Sequence, residues 1–226
     1  MSHENSISEG AARNKLDELH KAAKNDKWRF LAMTPKLVVG LVRGKSLMEV
    51  IASDAMRDCF IPISKEQGEF LYLTARSKKM KNIVEFGTSF GISTIYLAAA
   101  LKDNGAGEVI TTELEPHKCR KARENLQAAG VQEFATIREG DAMETLKNLA
   151  EPIDMVLLDG WKDLYLPVLE LLKPNMRPGT VVLADNIFTF RKALRPYVEY
   201  MQSGQNGFSS TTLAIGAGFE YSVYLG

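Results

Sequence analysis

The chain has 226 residues, 45% of them hydrophobic, which is enough for one domain with a sizeable core. Its 28 Lys and Arg balance 28 Asp and Glu, so no global field draws it to nucleic acid or to an anionic membrane. The two cysteines, Cys59 and Cys119, are far apart and form no Cys-x-x-Cys pair, which argues against a zinc site, a redox motif or a disulfide scaffold.

The start, Met1 to Gly10, is polar, and no later run approaches the roughly 20 apolar residues of a membrane span. A frayed N-terminus and a cytoplasmic setting are expected. Up to about Lys81 the pattern is helical only. Thr34-Pro35 reads as a cap followed by proline at the first helical position. Ser46 with Glu49, and again Ser64 with Gln67, reads as a capping box ahead of an apolar run.

From Asn82 the period changes. Strands are expected at Asn82–Phe86, Glu108–Glu113, Phe134–Arg138, Ile153–Leu158 and Thr180–Ala184, with helices at Ile92–Leu101, His117–Ala129, Ala142–Leu149, Lys162–Leu172 and Thr189–Gln202. Alternation at this spacing implies right-handed crossovers and a doubly wound α/β, Rossmann-like sheet, mostly parallel. Phe208–Ile215 and Phe219–Leu225, joined by Gly216-Ala217-Gly218, read as a terminal antiparallel hairpin. One domain is expected, with 1–81 as a helical cap and 82–226 as the α/β core.

Two apolar runs break off at carboxylates: Ile153 to Leu158 stops at Asp159, and Thr180 to Ala184 stops at Asp185-Asn186. Open α/β sheets place their chemistry at the carboxyl ends of such strands. Two carboxylates and an amide oxygen from adjacent strand ends suit Mg²⁺ or a similar oxygen-seeking ion. Taken singly, each Asp reads as a helix N-cap; the pair with its amide favours a metal site.

The first strand enters a glycine turn, Gly87-Thr88-Ser89-Phe90-Gly91, which would let backbone approach a ligand and present free N–H groups at the start of the next helix, a seat for a carboxylate or phosphate. The spacing is not the dinucleotide fingerprint, which disfavours a dehydrogenase. Glu113 ends the second strand, where an acid can take both ribose hydroxyls. Gly140-Asp141-Ala142 follows the third and could hold a purine edge. In series these describe a nucleoside-containing ligand across the switch point. Trp161 could stack on a purine or wall an aromatic substrate, and Lys162, beside a cation, could serve as a general base. The three histidines make no triad-like constellation, and the basic run from His117 to Arg123 reads as a solvated helix face.

With "IVEFGTSFGISTIYLA", "VITTELEP", "EGDAMETL", "IDMVLLDGWKDLYLP" and "GTVVLADN", the chain resembles the metal-dependent S-adenosylmethionine O-methyltransferases of the catechol and caffeoyl-CoA type over about Ile61 to Asn186. The resemblance implies a class I methyltransferase fold, with Asp159, Asp185 and Asn186 holding Mg²⁺ and Lys162 as base. It implies Glu85, Gly87, Thr88, Ser93 and the Ile63 backbone around the donor's methionine portion, Glu113 on the ribose, and Leu114, Asp141, Ala142 and Trp161 around the adenine. The expected partner is a small hydroxylated, catechol-like acceptor, and the chain is compatible with a homodimer.

The sequence departs from the catechol pattern twice. The glutamate expected before the final hairpin turn is missing from Ser210–Ile215, and Gly160 stands where a histidine precedes the tryptophan. Two other readings use the same motifs: methylation of a hydroxylated nucleoside in RNA, which the neutral charge disfavours, and a nucleotide-binding module without catalysis, which would need neither Lys162 nor the acidic strand ends.

Overall fold

Apolar runs that do not alternate, flanked by glycine turns and amphipathic segments, build a sheet buried on both faces. A computed structural model describes residues 5–32, 62–150 and 152–226. It divides into two compact units, one formed by Met1–Leu16 and Ile63–Gly226, the other by Asp17–Pro62. The expected caps at Thr34-Pro35 and at Ser46 with Glu49, and Cys59, lie outside the described residues.

The described helices are α1 (Gly10–Ala32), α2 (Lys65–Ser77), α3 (Ile92–Asn104), α4 (Pro116–Ala128), α5 (Ala142–Thr145), α6 (Tyr165–Leu172) and α7 (Arg191–Gln202). The strands are β1 (Asn82–Phe86), β2 (Glu108–Glu113), β3 (Ala135–Glu139), β4 (Ile153–Leu158), β5 (Met176–Ala184), β6 (Phe208–Leu213) and β7 (Phe219–Tyr224). They form one sheet in the order β3-β2-β1-β4-β5-β7-β6, in which the first five are parallel, β7 is antiparallel to β5, and β6 is antiparallel to β7. This is the expected doubly wound architecture, with its switch point between β1 and β4. Among the described residues no helix is long and apolar enough to cross a membrane.

Strand periodicity assigns the two faces. Val84, Phe86, Val156, Leu158, Val182 and Ala184 pack with Tyr165, Val168 and Leu169 of α6 and with Leu194, Tyr197 and Met201 of α7. The alternate positions Ile83, Glu85, Met155 and Leu157 point the other way, where Thr94 of α3 donates to Glu85. Helix α3 is buried from Ile92 to Leu101. Helix α2 packs against α3, and a Cβ at Gly68 would fall on the Tyr96 ring.

Several element bounds shift from expectation by one to three residues at their ends, and three differ for local reasons that the structure shows. The helix after Asp141 stops at Thr145, whose carbonyl accepts from Arg138 Nη1 at 2.7 Å, and Asn148 then takes a left-handed φ of 55°. The segment from Lys162 opens as a 3₁₀ turn, Lys162–Leu164, before α6 begins. Strand β5 starts at Met176, before Thr180, where Arg177 pairs with Asp154 of β4.

Candidate functional site

Leu158 of β4 and Ala184 of β5 are register partners, so the residues that follow them, Asp159 and Asp185, leave the sheet side by side. The ladder continues through Asp159 N–H to Phe86 O at 2.9 Å and Asp185 N–H to Leu158 O at 3.0 Å. Lys162 Nζ lies 3.3 Å from Asp159 Oδ1 and donates to Tyr165 OH at 2.8 Å; that hydroxyl donates to the Asp185 carbonyl at 3.2 Å. Asp185 Oδ1 accepts from Gln67 Nε2 at 2.5 Å, and Oδ2 from Asn186 Nδ2 at 2.8 Å. Asn186 has φ 67°, which turns the chain sharply after β5.

Burial sets the electrostatics. It raises the Asp185 carboxyl to about 7, the Asp159 charge adds to this, and the hydrogen bonds from Asn186 and Gln67 with the Lys162 charge offset part of it. Burial likewise raises Asp159 against the pull of Lys162. Two enclosed carboxylates that disfavour each other's ionisation form a donor set that a divalent cation neutralises, and Asn186 Oδ1 adds a neutral oxygen. Among the described residues no three His, Cys, Asp or Glu side chains gather to hold a metal, so the candidate centre rests on two carboxylates and an amide. Tyr165 is held well above its ordinary range by burial and by Asp159 and Asp185, so it remains a phenol able to donate.

The switch point lies one strand over. Gly87 has φ 105°, and a Cβ there would meet the Asp159 and Gly160 backbone at 2.7–2.8 Å. Only glycine lets the β1 turn pass under the β4 turn that carries Asp159. Several N–H groups of the turn itself are engaged. Gly87 and Thr88 donate to Thr112 O, Gly91 donates to Thr88 O, and Ser89 N donates to Glu113 Oε2 at 2.8 Å. These bonds fix Glu113, whose Oε1 also accepts from Glu115 N at 3.0 Å, and α3 opens at Gly91 with no side-chain cap. Each Glu113 oxygen keeps a lone pair for a further donor.

Glu85 is fully buried, with Oε2 accepting from Thr94 Oγ1 at 2.5 Å and Oε1 left without a partner among the described residues. Burial raises its carboxyl to about 7, against the lowering pull of the neighbouring Ser93, Thr94 and Thr111 hydroxyls. A buried carboxylate oxygen without a donor fits a site that receives a cationic group. Thr88 Oγ1 bonds Thr111 Oγ1 at 2.6 Å, and Ser93 and Ile63 are buried. Asp141 caps the short α5 through Met143 N at 2.9 Å, and Gly140 N reaches Glu113 O at 2.9 Å, so the β2 and β3 ends adjoin. Ala142 is buried, while Leu114 (63%) and Trp161 (38%) stand exposed at the strand ends. Gly160 is packed against Phe86, and a Cβ there would lie 2.5 Å from its ring.

Sequence reasoning missed two contributors. Tyr165 follows Lys162 by one helical turn, a spacing that could have flagged it. Gln67 reaches Asp185 across 118 positions, and its local role in the capping box concealed the contact.

Residues 84–187 match the family model described as a methyltransferase domain. The chain is 30% identical to the catechol O-methyltransferase of Sus scrofa over 132 residues, 55% of this chain and 70% of that relative. The chain belongs to the S-adenosylmethionine-dependent O-methyltransferase family of the catechol and caffeoyl-CoA type. The catechol O-methyltransferase of Niastella koreensis is 38% identical over 138 residues, 59% of this chain, and the match spans 62% of that relative, under two thirds of its length. Among solved structures, the O-methyltransferase of Bacillus cereus in complex with SAH superposes with a TM-score of 0.66 at 28% identity, covering 72% of this chain and 82% of that one.

Proposed function

We propose that this chain transfers the methyl group of S-adenosylmethionine to a hydroxyl of a small, vicinally dihydroxylated aromatic acceptor, with a divalent cation at Asp159, Asp185 and Asn186. The observation that carries the reading is the pair of adjoining carboxylates, Asp159 and Asp185, with Lys162 Nζ 3.3 Å from the first. A cation held there would lower the pKa of the acceptor hydroxyl and fix its direction.

The chain's own residues do the rest. Lys162 Nζ accepts the acceptor's hydroxyl proton, and Tyr165 OH and Asp159 Oδ1 hold that nitrogen in place. Glu85, with its unpartnered Oε1, meets the donor's α-ammonium, and Gly87, Thr88, Ser93 and the Ile63 backbone enclose its methionine portion. Glu113 takes the ribose hydroxyls on lone pairs its two backbone bonds leave free, and Leu114, Asp141, Ala142 and Trp161 frame the adenine. Methyl transfer is an in-line displacement, so catalysis consists chiefly of holding the acceptor oxygen against the methyl carbon and excluding water.

The carboxylate of the terminal hairpin is Glu220, fully buried on β7 and bonded by Ser210, Thr212 and Gln202. It is enclosed within the hairpin, so the acceptor's second hydroxyl is oriented without a carboxylate from this segment. This favours a vicinal dihydroxy aromatic other than catechol itself. Labelled methyl donor and a panel of hydroxylated aromatics test the assignment. Turnover should need a divalent ion and stop on chelation while donor binding survives; full turnover after exhaustive chelation removes the metal from the reading.

A further inference from the structure

Gln67 occupies the third position of α2 and is 1% exposed. Its Oε1 accepts from Ser64 N at 2.9 Å, and its own N–H donates to Ser64 Oγ at 3.2 Å, a reciprocal capping box. A capping box uses nothing more. Yet Nε2 continues to Asp185 Oδ1 at 2.5 Å, joining the start of α2 to the end of β5. The orientation of the amide is fixed chemically, because Ser64 N–H can only donate; the oxygen must face the cap and the NH₂ must face the carboxylate. The hairpin turn holds it from a third side. Gly216 is exposed with φ 56°, and a Cβ there would fall on the Gln67 amide.

The residue type carries information that the cap does not. Glutamate serves a capping box as well as glutamine, and its charge suits a helix N-terminus better. Here glutamate would set a third carboxylate against Asp185. Glutamine keeps the cap and gives Asp185 a donor. With Asn186 Nδ2 on Oδ2, each carboxylate oxygen then carries one amide donor and keeps a lone pair for another partner.

We infer that Gln67 is a positioning residue that orients the Asp185 carboxylate for the divalent cation, with Gly216 closing over its amide. The inference rests on the metal reading proposed above. Outer partners of a ligating carboxylate typically change metal affinity by about 10- to 100-fold when removed.

The test measures Mn²⁺ binding by electron paramagnetic resonance on the protein without donor or acceptor, so no turnover is needed. Gln67→Met, close in size and without a hydrogen-bonding amide, should bind Mn²⁺ about 10- to 100-fold more weakly. Gly216→Ala, which displaces the amide and leaves the α2 cap residues unchanged, should weaken binding in the same direction and covers the case in which Gln67→Met does not fold. Ser64→Ala is the structural control: it removes half of the capping box, lowers the melting temperature, and should leave Mn²⁺ affinity unchanged. Native affinity in both Gln67→Met and Gly216→Ala, or a loss in Ser64→Ala equal to that in Gln67→Met, overturns the role of Gln67. Failure of the native protein to bind Mn²⁺ overturns instead the cation reading beneath it.

Discussion

Asp159 and Asp185 adjoin because Leu158 and Ala184 pair in parallel register, and their charges oppose each other in a largely enclosed space. In the metal-free protein Asp185 is raised from 3.8 to about 7, burial first and the Asp159 charge second. A carboxyl raised on folding contributes stability that is complete below its unfolded value and is lost as pH rises through its folded value. From this group the chelated protein should therefore lose stability between about pH 4 and about pH 7. A divalent cation needs both carboxylates ionised, so the melting-temperature gain from saturating Mg²⁺ should be small near about pH 5 and large near about pH 8. Thermal scans with and without Mg²⁺ across that range check this; a gain that does not vary with pH contradicts it.

Glu85 predicts a proton release. Its carboxyl is raised to about 7 by burial, and Oε1 has no donor among the described residues. A donor ammonium placed beside it favours the carboxylate, so binding near neutral pH should expel a proton. Titration calorimetry of S-adenosylmethionine in buffers of different ionisation enthalpy, at about pH 6.5, should give buffer-dependent heats. Glu85→Gln should abolish that dependence and weaken the donor. Identical heats in all buffers for the native protein would rule out the ionisation change.

The contrast between these residues and Gln67 explains what the sequence could reveal. Ile153–Leu158 and the core of β5 are unalternating apolar runs that stop at carboxylates, so both the buried strands and the acidic strand ends are local signals. The capping box at Ser64 and Gln67 is local too, and the structure contains it. The bond from Gln67 to Asp185 depends on where α2 lands after the sheet has closed, which no spacing encodes. The glycine turn was legible only in part: Gly87 and Gly91 mark the turn into α3, but the bond from Ser89 N–H to Glu113 depends on where β2 ends, which no spacing encodes. The early start of β5 was hidden because Pro178 and Gly179 are poor strand residues, whereas in the structure Met176 pairs with Ile153 ahead of a register shift and Arg177 bonds Asp154.

Gly87→Ala should be severe. At φ 105° an L side chain is strained, and the added Cβ would meet the Asp159 and Gly160 backbone at 2.7–2.8 Å, where little can give. The backbone strain alone costs about 1–3 kcal/mol. Urea unfolding should show a loss at or above that range, with weaker Mn²⁺ binding because the β4 turn that carries Asp159 must move. A variant of native stability would mean the β1 and β4 turns are looser than this packing requires.

Lys162 gives the sharpest kinetic prediction. Its Nζ is held by Asp159 Oδ1 at 3.3 Å and Tyr165 OH at 2.8 Å and lies 5.6 Å from the Phe190 ring centroid, an enclosed position for a lysine that is 8% exposed. As the base, it matters most where solvent hydroxide and metal assistance deprotonate the acceptor least, so Lys162→Met should lose rate chiefly at low pH. A positioned general base contributes about 10²- to 10⁴-fold, which sets the expected fall in kcat, while donor affinity stays near native because the Lys162 ammonium bonds Asp159 and Tyr165, neither of which is proposed to hold the donor. The pH–rate profile separates this role from a purely electrostatic one. A uniform fall at every pH would assign Lys162 to holding Asp159, and an unchanged profile would remove it from the reaction.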